Sequence, residues 1–149
     1  MSISSKVRYT LNEVKKAALI SQTDNGRKFR SKYQVRVNPP RAIGFDDGNE
    51  FVEGNTKAYP STENKRHYCY LIHNPKTREI KQLWCSCKDF NYRLMVPYER
   101  AGLAKRADVP MNYQKQAAFQ PNRNWTVKTN PTGKKFLCKH LLALSNYIN

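Results

Sequence analysis

Two short pairs, Cys85-Ser86-Cys87 and Cys138-Lys139-His140, lie on either side of a fifty-residue stretch. Apolar residues flank both, Leu83-Trp84 before the first and Leu141-Leu142 after the second. If the pairs act together, the fold must close a long loop so that the end of one element meets the start of another. The chain has little else to close it with. Leu, Ile, Val and Phe number 30 of 149 residues, about the 20% level below which a highly charged sequence tends to stay unfolded. A chain this poor in core needs a second source of order, and a bound metal or a partner surface can supply it.

Residues i and i+2 in a strand or tight turn can aim two side chains at one centre, and the first turn of a helix can supply two more. Three thiolates and an imidazole are one of the tetrahedral sets that structural zinc takes, at roughly 2.3 Å to sulfur and 2.0 Å to nitrogen. Cys85, Cys87, Cys138 and His140 are therefore the candidate ligands of one structural Zn²⁺ per chain, with no coordination position left for water. The same residues read separately are buried thiols and an ordinary helix histidine. The two tight spacings, in a chain with four cysteines and three histidines, favour the metal. The fourth cysteine, Cys69, reads either as a buried hairpin thiol or as a spare ligand. His67 and His73 share its strand face, so a Cys-His nucleophile pair is conceivable. No glycine-rich elbow or orienting carboxylate accompanies it, and no catalytic residue is assigned. Asp89 reads as a ligand-orienting acceptor or as a turn cap.

Periodicity organises the rest. Thr10 and Glu13 form a capping-box pattern before Leu11, Val14, Ala18 and Ile20, predicting a helix that ends near Asp24-Asn25-Gly26. Lys32 to Val37 alternates as a strand and stops at Asn38-Pro39-Pro40. Residues 41–66 read mostly as loop, with Phe45, Phe51 and Val52 as anchors. A hairpin follows: His67 to His73, the turn Asn74-Pro75-Lys76-Thr77-Arg78, and Ile80 to Cys85. Tyr92 to Leu103 has helical character, residues 110–132 read as loop, and Leu137 to Ile148 spaces Leu141, Leu144 and Ile148 as a docked helix.

The Cys85-Ser86-Cys87-Lys88-Asp89-Phe90 and Leu137-Cys138-Lys139-His140-Leu141-Leu142-Ala143-Leu144 segments resemble the SWIM zinc finger family, whose pattern is CxC, a variable spacer, then CxH. The resemblance covers about a third of the chain and implies a ββα arrangement, the hairpin presenting the first pair and the helix the second. SWIM modules accompany chromatin-remodelling-type helicases, Mutator-type transposases and bacterial proteins, and the resemblance implies binding to DNA or protein rather than catalysis. Here the spacer, residues 88–137, is longer than is usual in the family, and no enzyme domain is recognisable beside it. More loosely, Tyr92-Arg93 and Thr129-Asn130-Pro131 make the chain similar to small SWIM-like proteins of tailed bacteriophages, which implies a virion subunit as an alternative role.

The expected architecture is a single α+β domain over residues 1–149. A basic helix, strand and loop arm spans 1–66, and a zinc-stapled ββα module spans 67–149 with residues 88–137 inserted. The chain carries 27 Lys+Arg against 11 Asp+Glu, a formal charge of +16. A Zn²⁺ held by three thiolates would lower that to about +15. The surplus is +6 in residues 1–66 and +10 in 67–149. Arg27, Lys28, Arg30, Lys32, Arg36, Lys65, Arg66, Lys134, Lys135 and Lys139 are the candidate contacts to nucleic acid or an acidic protein, with Phe29, Tyr33 and Trp125 nearby for stacking. A solvated surface is the plain alternative, and no helix-turn-helix or aromatic RNA-binding strand motif supports base-specific readout. The sequence predicts no small-molecule substrate. No apolar run approaches the ~20 residues of a membrane span, and the charged start, Lys6 and Arg8, argues against a secretory leader. A reducing, cytoplasmic setting is expected, in which four cysteines are thiols or ligands rather than disulfides.

Overall fold

The computed structural model describes residues 9–20, 35–37, 41–44, 48–58, 66–115, 126, 128 and 130–148. Helix α1 (Leu11–Ile20) opens the described chain. Five strands follow: β1 (Val35–Val37), β2 (Arg41–Gly44), β3 (Glu50–Ala58), β4 (Arg66–His73) and β5 (Ile80–Cys85). They form one antiparallel sheet in four rows, ordered β1-β3-β4-β5, with β2 and β1 both paired to β3. Because β4 occupies the other edge of β3 along residues 50–57, β1 and β2 share a row. A π-helical turn (Phe90–Leu94) runs into α2 (Met95–Arg100), followed by a 3-10 turn (Arg106–Asp108), short α3 (Met111–Gln114) and C-terminal α4 (Lys139–Ser145). No described helix is long and apolar enough to cross a membrane.

The hairpin of β4 and β5 matches the sequence expectation almost to the residue, since both arms are aromatic and β-branched and Asn74 accepts from the backbone N–H groups of Lys76 and Thr77 through its side-chain oxygen. The expected loop over 41–66 is corrected: β2 and β3 lie there. Only Phe51 and Val52 give β3 large apolar side chains, so its extended state comes from pairing on both edges, eight consecutive positions against β4 alone. Strand formation of this kind depends on neighbours more than on propensity. The hairpin is accordingly one side of a larger sheet, with β5 at its edge. The capping hydrogen bond at α1 is present, Glu13 N–H donating to Thr10 Oγ1 at 3.3 Å, while the expected turn at residues 24–26 and the start of the Lys32 strand lie outside the described residues. Helix α1 ends at Ile20.

Register divides the sheet into two faces. Cys69 lies opposite Cys85, Leu71 opposite Leu83, and Val52 opposite Leu71, so these side chains share one face by the period of two. Helix α4 packs there and α1 packs against α4, with Leu11, Val14, Leu141 and Leu144 buried. Tyr68, Tyr70, Ile72, Gln82 and Trp84 occupy the other face. Tyr113 covers it, stacking on Tyr68 at 5.3 Å and meeting Trp84 edge-on at 5.8 Å. The segment after Cys87 is more than a spacer: Phe90, Leu94, Met95 and Tyr98 are fully buried. The expected helix over 92–103 becomes the π-turn and α2, and the expected loop over 110–132 contains α3.

Candidate metal centre

Three elements converge on the cysteine and histidine pairs. Strand β5 delivers Cys85 at its last residue, the following turn presents Cys87, and Cys138 is the N-cap of α4 with His140 one position into the helix. The ligating atoms of Cys85, Cys87, Cys138 and His140 all lie within 4.8 Å of one another. Zinc with ~2.3 Å bonds to sulfur separates tetrahedral sulfurs by about 3.8 Å, so the cluster is of a size that one cation would draw together. Four buried donors thus meet in one place, although fifty residues separate the pairs.

Two of the three sulfurs are held by the backbone around them. Cys87 Sγ accepts from the Phe90 N–H at 3.3 Å, and Cys138 Sγ accepts from the Leu141 N–H at 3.5 Å. The cysteine at the helix N-cap thereby does what serine or aspartate ordinarily does there. Beneath the first pair sits Asn91, fully buried. Its Nδ2 donates to the carbonyls of Cys85 at 3.0 Å and Cys87 at 2.8 Å, and its Oδ1 accepts from the Trp84 indole at 3.3 Å. One amide side chain fixes the curvature of the Cys-Ser-Cys turn. Sequence reading missed Asn91, because an asparagine four residues after a cysteine carries no signal until the π-turn aims it back at the strand. Thr126 and Asn130 secure the far side, donating to the carbonyls of Tyr92 (2.6 Å) and Arg93 (2.9 Å).

Without a cation the cluster is electrostatically incomplete. Burial pushes the Cys85 and Cys87 thiols well above the usual thiol range. Burial acts on Cys138 in the same direction, but its neighbours Cys85, Cys87 and His140 outweigh it and bring this thiol well below that range. The donor set therefore concentrates thiolate character at the helix N-cap. Neither ring nitrogen of buried His140 has a hydrogen-bond partner. The imidazole lies close enough to act on the charge of Cys138, yet neither nitrogen meets a partner in hydrogen-bonding geometry. A buried unsatisfied polar group costs about 1–3 kcal/mol, and a metal–nitrogen bond would remove that cost. The residues fit zinc on this ground, and on the softness and number of the donors.

Residues 71–95 and 123–149 match the SWIM zinc finger. No curated protein and no solved structure matches the chain. The SWIM match coincides with the elements that carry the cluster and, as the resemblance implied, the hairpin brings one pair and the C-terminal helix the other. Over these two stretches the chain is similar to the SWIM zinc finger, and the stretches hold all four donors of the cluster.

The remaining candidates are distributed as follows. Cys69 is fully buried beside Cys85, outside the four-donor cluster, its Sγ 3.7 Å from the Gly54 carbonyl oxygen. His67 packs against the His140 ring at 4.6 Å, with Nδ1 3.1 Å from Ser86 Oγ. His73 Nε2 lies 3.3 Å from Glu50 Oε1. The two histidines thus have separate partners at different points along β4. Asp89 forms an ion pair with Arg93 at 3.4 Å. Of the basic candidates, Arg27, Lys28, Arg30, Lys32 and Lys65 lie outside the described residues, as do Phe29, Tyr33 and Trp125. Arg36 and Arg66 are described in their backbone only, in β1 and β4. Lys134 is exposed, Lys139 is half-buried at the start of α4, and Lys135 places Nζ 4.9 Å over the Tyr9 ring.

Proposed function

We propose that this protein is a non-enzymatic binding module in which one structural zinc per chain, held by Cys85, Cys87, Cys138 and His140, orders the C-terminal half. A basic surface then docks on the phosphate backbone of nucleic acid. The observation that carries the structural role is the buried four-donor cluster: with every position filled by protein, a tetrahedral zinc has no site at which to activate water. What the metal supplies when bound is cross-linking, and the chain's own groups do the rest. Asn91 and the N–H groups of Phe90 and Leu141 orient the sulfurs, and α4 seals the sheet face.

Charge supports the docking reading. The carboxylates of residues 67–149 are already engaged, Glu79 with Lys81 at 3.1 Å, Asp89 with Arg93 at 3.4 Å, Glu99 with Arg106 at 2.6 Å and Asp108 with Gln82 at 3.1 Å. A formal surplus of +10 in that half, about +9 with three thiolates on Zn²⁺, is left for a polyanion. Phosphate contacts release counterions, so affinity for a mixed-sequence oligonucleotide should fall steeply between ~50 and ~200 mM salt. Fluorescence anisotropy measures it, with the triple change Lys134→Glu, Lys135→Glu, Lys139→Glu expected to weaken binding across sequences alike. Absence of binding at low salt would move the reading to an acidic protein partner.

A further inference from the structure

One buried thiol is left outside the metal cluster, and its position is informative. Cys69 is directly opposite Cys85 across the hairpin. The Ser86 N–H donates to the Tyr68 carbonyl at 3.0 Å, which makes 68/86 a hydrogen-bonded position of the ladder. Antiparallel pairs alternate, so 69/85 is a non-hydrogen-bonded position. The next such position agrees: the Leu83 N–H turns away from β4 and donates to the Leu103 carbonyl at 2.9 Å. Directly opposite residues at non-hydrogen-bonded positions have Cα atoms ~4.5 Å apart with their side chains closest. That separation lies at the short end of the roughly 4.4–6.8 Å range that disulfides span. Both thiols are fully buried on the same face of the sheet.

We propose that Cys69 is the resolving thiol of an oxidative modification site, forming a disulfide with the metal ligand Cys85 when the protein meets a hydroperoxide. The proposal rests on the zinc reading for its consequence, loss of the metal, and not for the pairing. The Cys85 thiolate attacks one peroxide oxygen; an S–O bond forms, the O–O bond breaks and hydroxide leaves, the sulfur having given up two electrons. Cys69 sulfur then attacks Cys85 sulfur; the S–S bond forms, the S–O bond breaks, and the departing hydroxide takes the Cys69 proton as water. Overall one thiolate, one thiol and one H₂O₂ give one disulfide, one water and one hydroxide. Zinc is left with two thiolates and an imidazole, a set that no longer fills its tetrahedron. Because the cross-link joins neighbouring strands at a short Cα separation, it should be among the reducible ones. A dithiol then restores both sulfurs and the site. Burial of both residues makes a small peroxide the fitting oxidant and a bulky disulfide a poor one.

The test uses the full chain loaded with zinc and treated with hydrogen peroxide. Released zinc is followed with a chromogenic chelator, and the cross-link is located by peptide mass mapping with fragmentation, which separates Cys85 from Cys87. The expected result is a Cys69–Cys85 linkage, a loss of two hydrogens matching zinc release, and recovery of zinc binding after dithiothreitol. Cys69→Ser, with Cys69→Ala as the apolar control in case the hydroxyl is not tolerated in the core, should release zinc several-fold more slowly and fail to recover. A wild-type linkage between two of Cys85, Cys87 and Cys138, or equal release rates in wild type and both variants, would overturn the proposal. Zinc uptake is measured separately before oxidation: the linkage in a chain that takes up no zinc would remove the zinc reading while leaving the pairing intact, and a chain that binds zinc yet gives no Cys69–Cys85 linkage would refute the pairing.

Discussion

The two faces of the β4–β5 hairpin are built from adjacent residues yet held by different physics. On one face, that of Cys69, Leu71, Leu83 and Cys85, α4 packs, and the closing contact is a cluster of donors with a buried, unsatisfied imidazole. On the other, Tyr68, Tyr70 and Trp84 are covered by Tyr113 through ring stacking, and Gln82 Nε2 ties the Tyr70 hydroxyl (2.7 Å) to Asp108 (3.1 Å). The aromatic face is satisfied by the protein alone. The thiol face is complete only with a cation. A chain with so little aliphatic core can therefore be whole on one side and conditional on the other.

The largest test of that contrast is removal of a donor. Cys138→Ser or His140→Ala should lower zinc content and melting temperature together, with loss of the cooperative transition, since structural zinc contributes on the order of 10 kcal/mol to small modules. Calorimetry with metal analysis checks it. Unchanged stability in either variant would make the aromatic face sufficient by itself. Next is Asn91→Ala, which removes three buried hydrogen bonds at the joint between the faces. A loss of about 3 kcal/mol is expected, with metal affinity weakened ~10- to 100-fold, both read from a competition titration.

Alkaline titration separates the faces by pH. In chelator-stripped protein the raised thiols of Cys85 and Cys87 favour the folded state below the ordinary thiol value of 9.0. That contribution disappears as pH climbs past it, with Cys138 acting in the opposite sense. The Tyr70 hydroxyl, pushed up to about 12 chiefly by burial, behaves likewise from a higher start. Its share, on the order of 2–3 kcal/mol, is complete below pH 10 and vanishes as pH approaches 12. Denaturant midpoints against pH should show the thiol step first in the stripped protein and only the later step with zinc bound. The smallest effect belongs to Tyr113→Ala, which removes two ring contacts from a half-buried residue. About 1–2 kcal/mol is expected, with zinc affinity unchanged.

Much of the candidate site was legible because its signals are local. Two residues of spacing between Cys85 and Cys87, and again between Cys138 and His140, say which donors can face one point, and the β-rich arms around Asn74-Pro75 say where the hairpin turns. Strands β2 and β3 were not legible, since Glu50-Phe51-Val52-Glu53-Gly54-Asn55 contains neither sustained alternation nor β-branched density. The order of β3 is imposed by partners on both of its edges, and that of β2 by β3. Asn91 was hidden for a related reason. Its role depends on a π-turn, and such a turn is selected by what Phe90 and Leu94 bury, not by local propensity.

Composition and spacing determined that this chain is basic, thin in apolar core and furnished with four donors suited to one soft-to-borderline cation, because ligand chemistry and net charge belong to residues wherever they lie. Tertiary structure alone decided that the hairpin is one side of a wider sheet, that a fourth thiol faces Cys85, and that an asparagine grips the turn between the ligands. Those are matters of register and close approach, fixed only when segments distant in sequence compete for the same buried space.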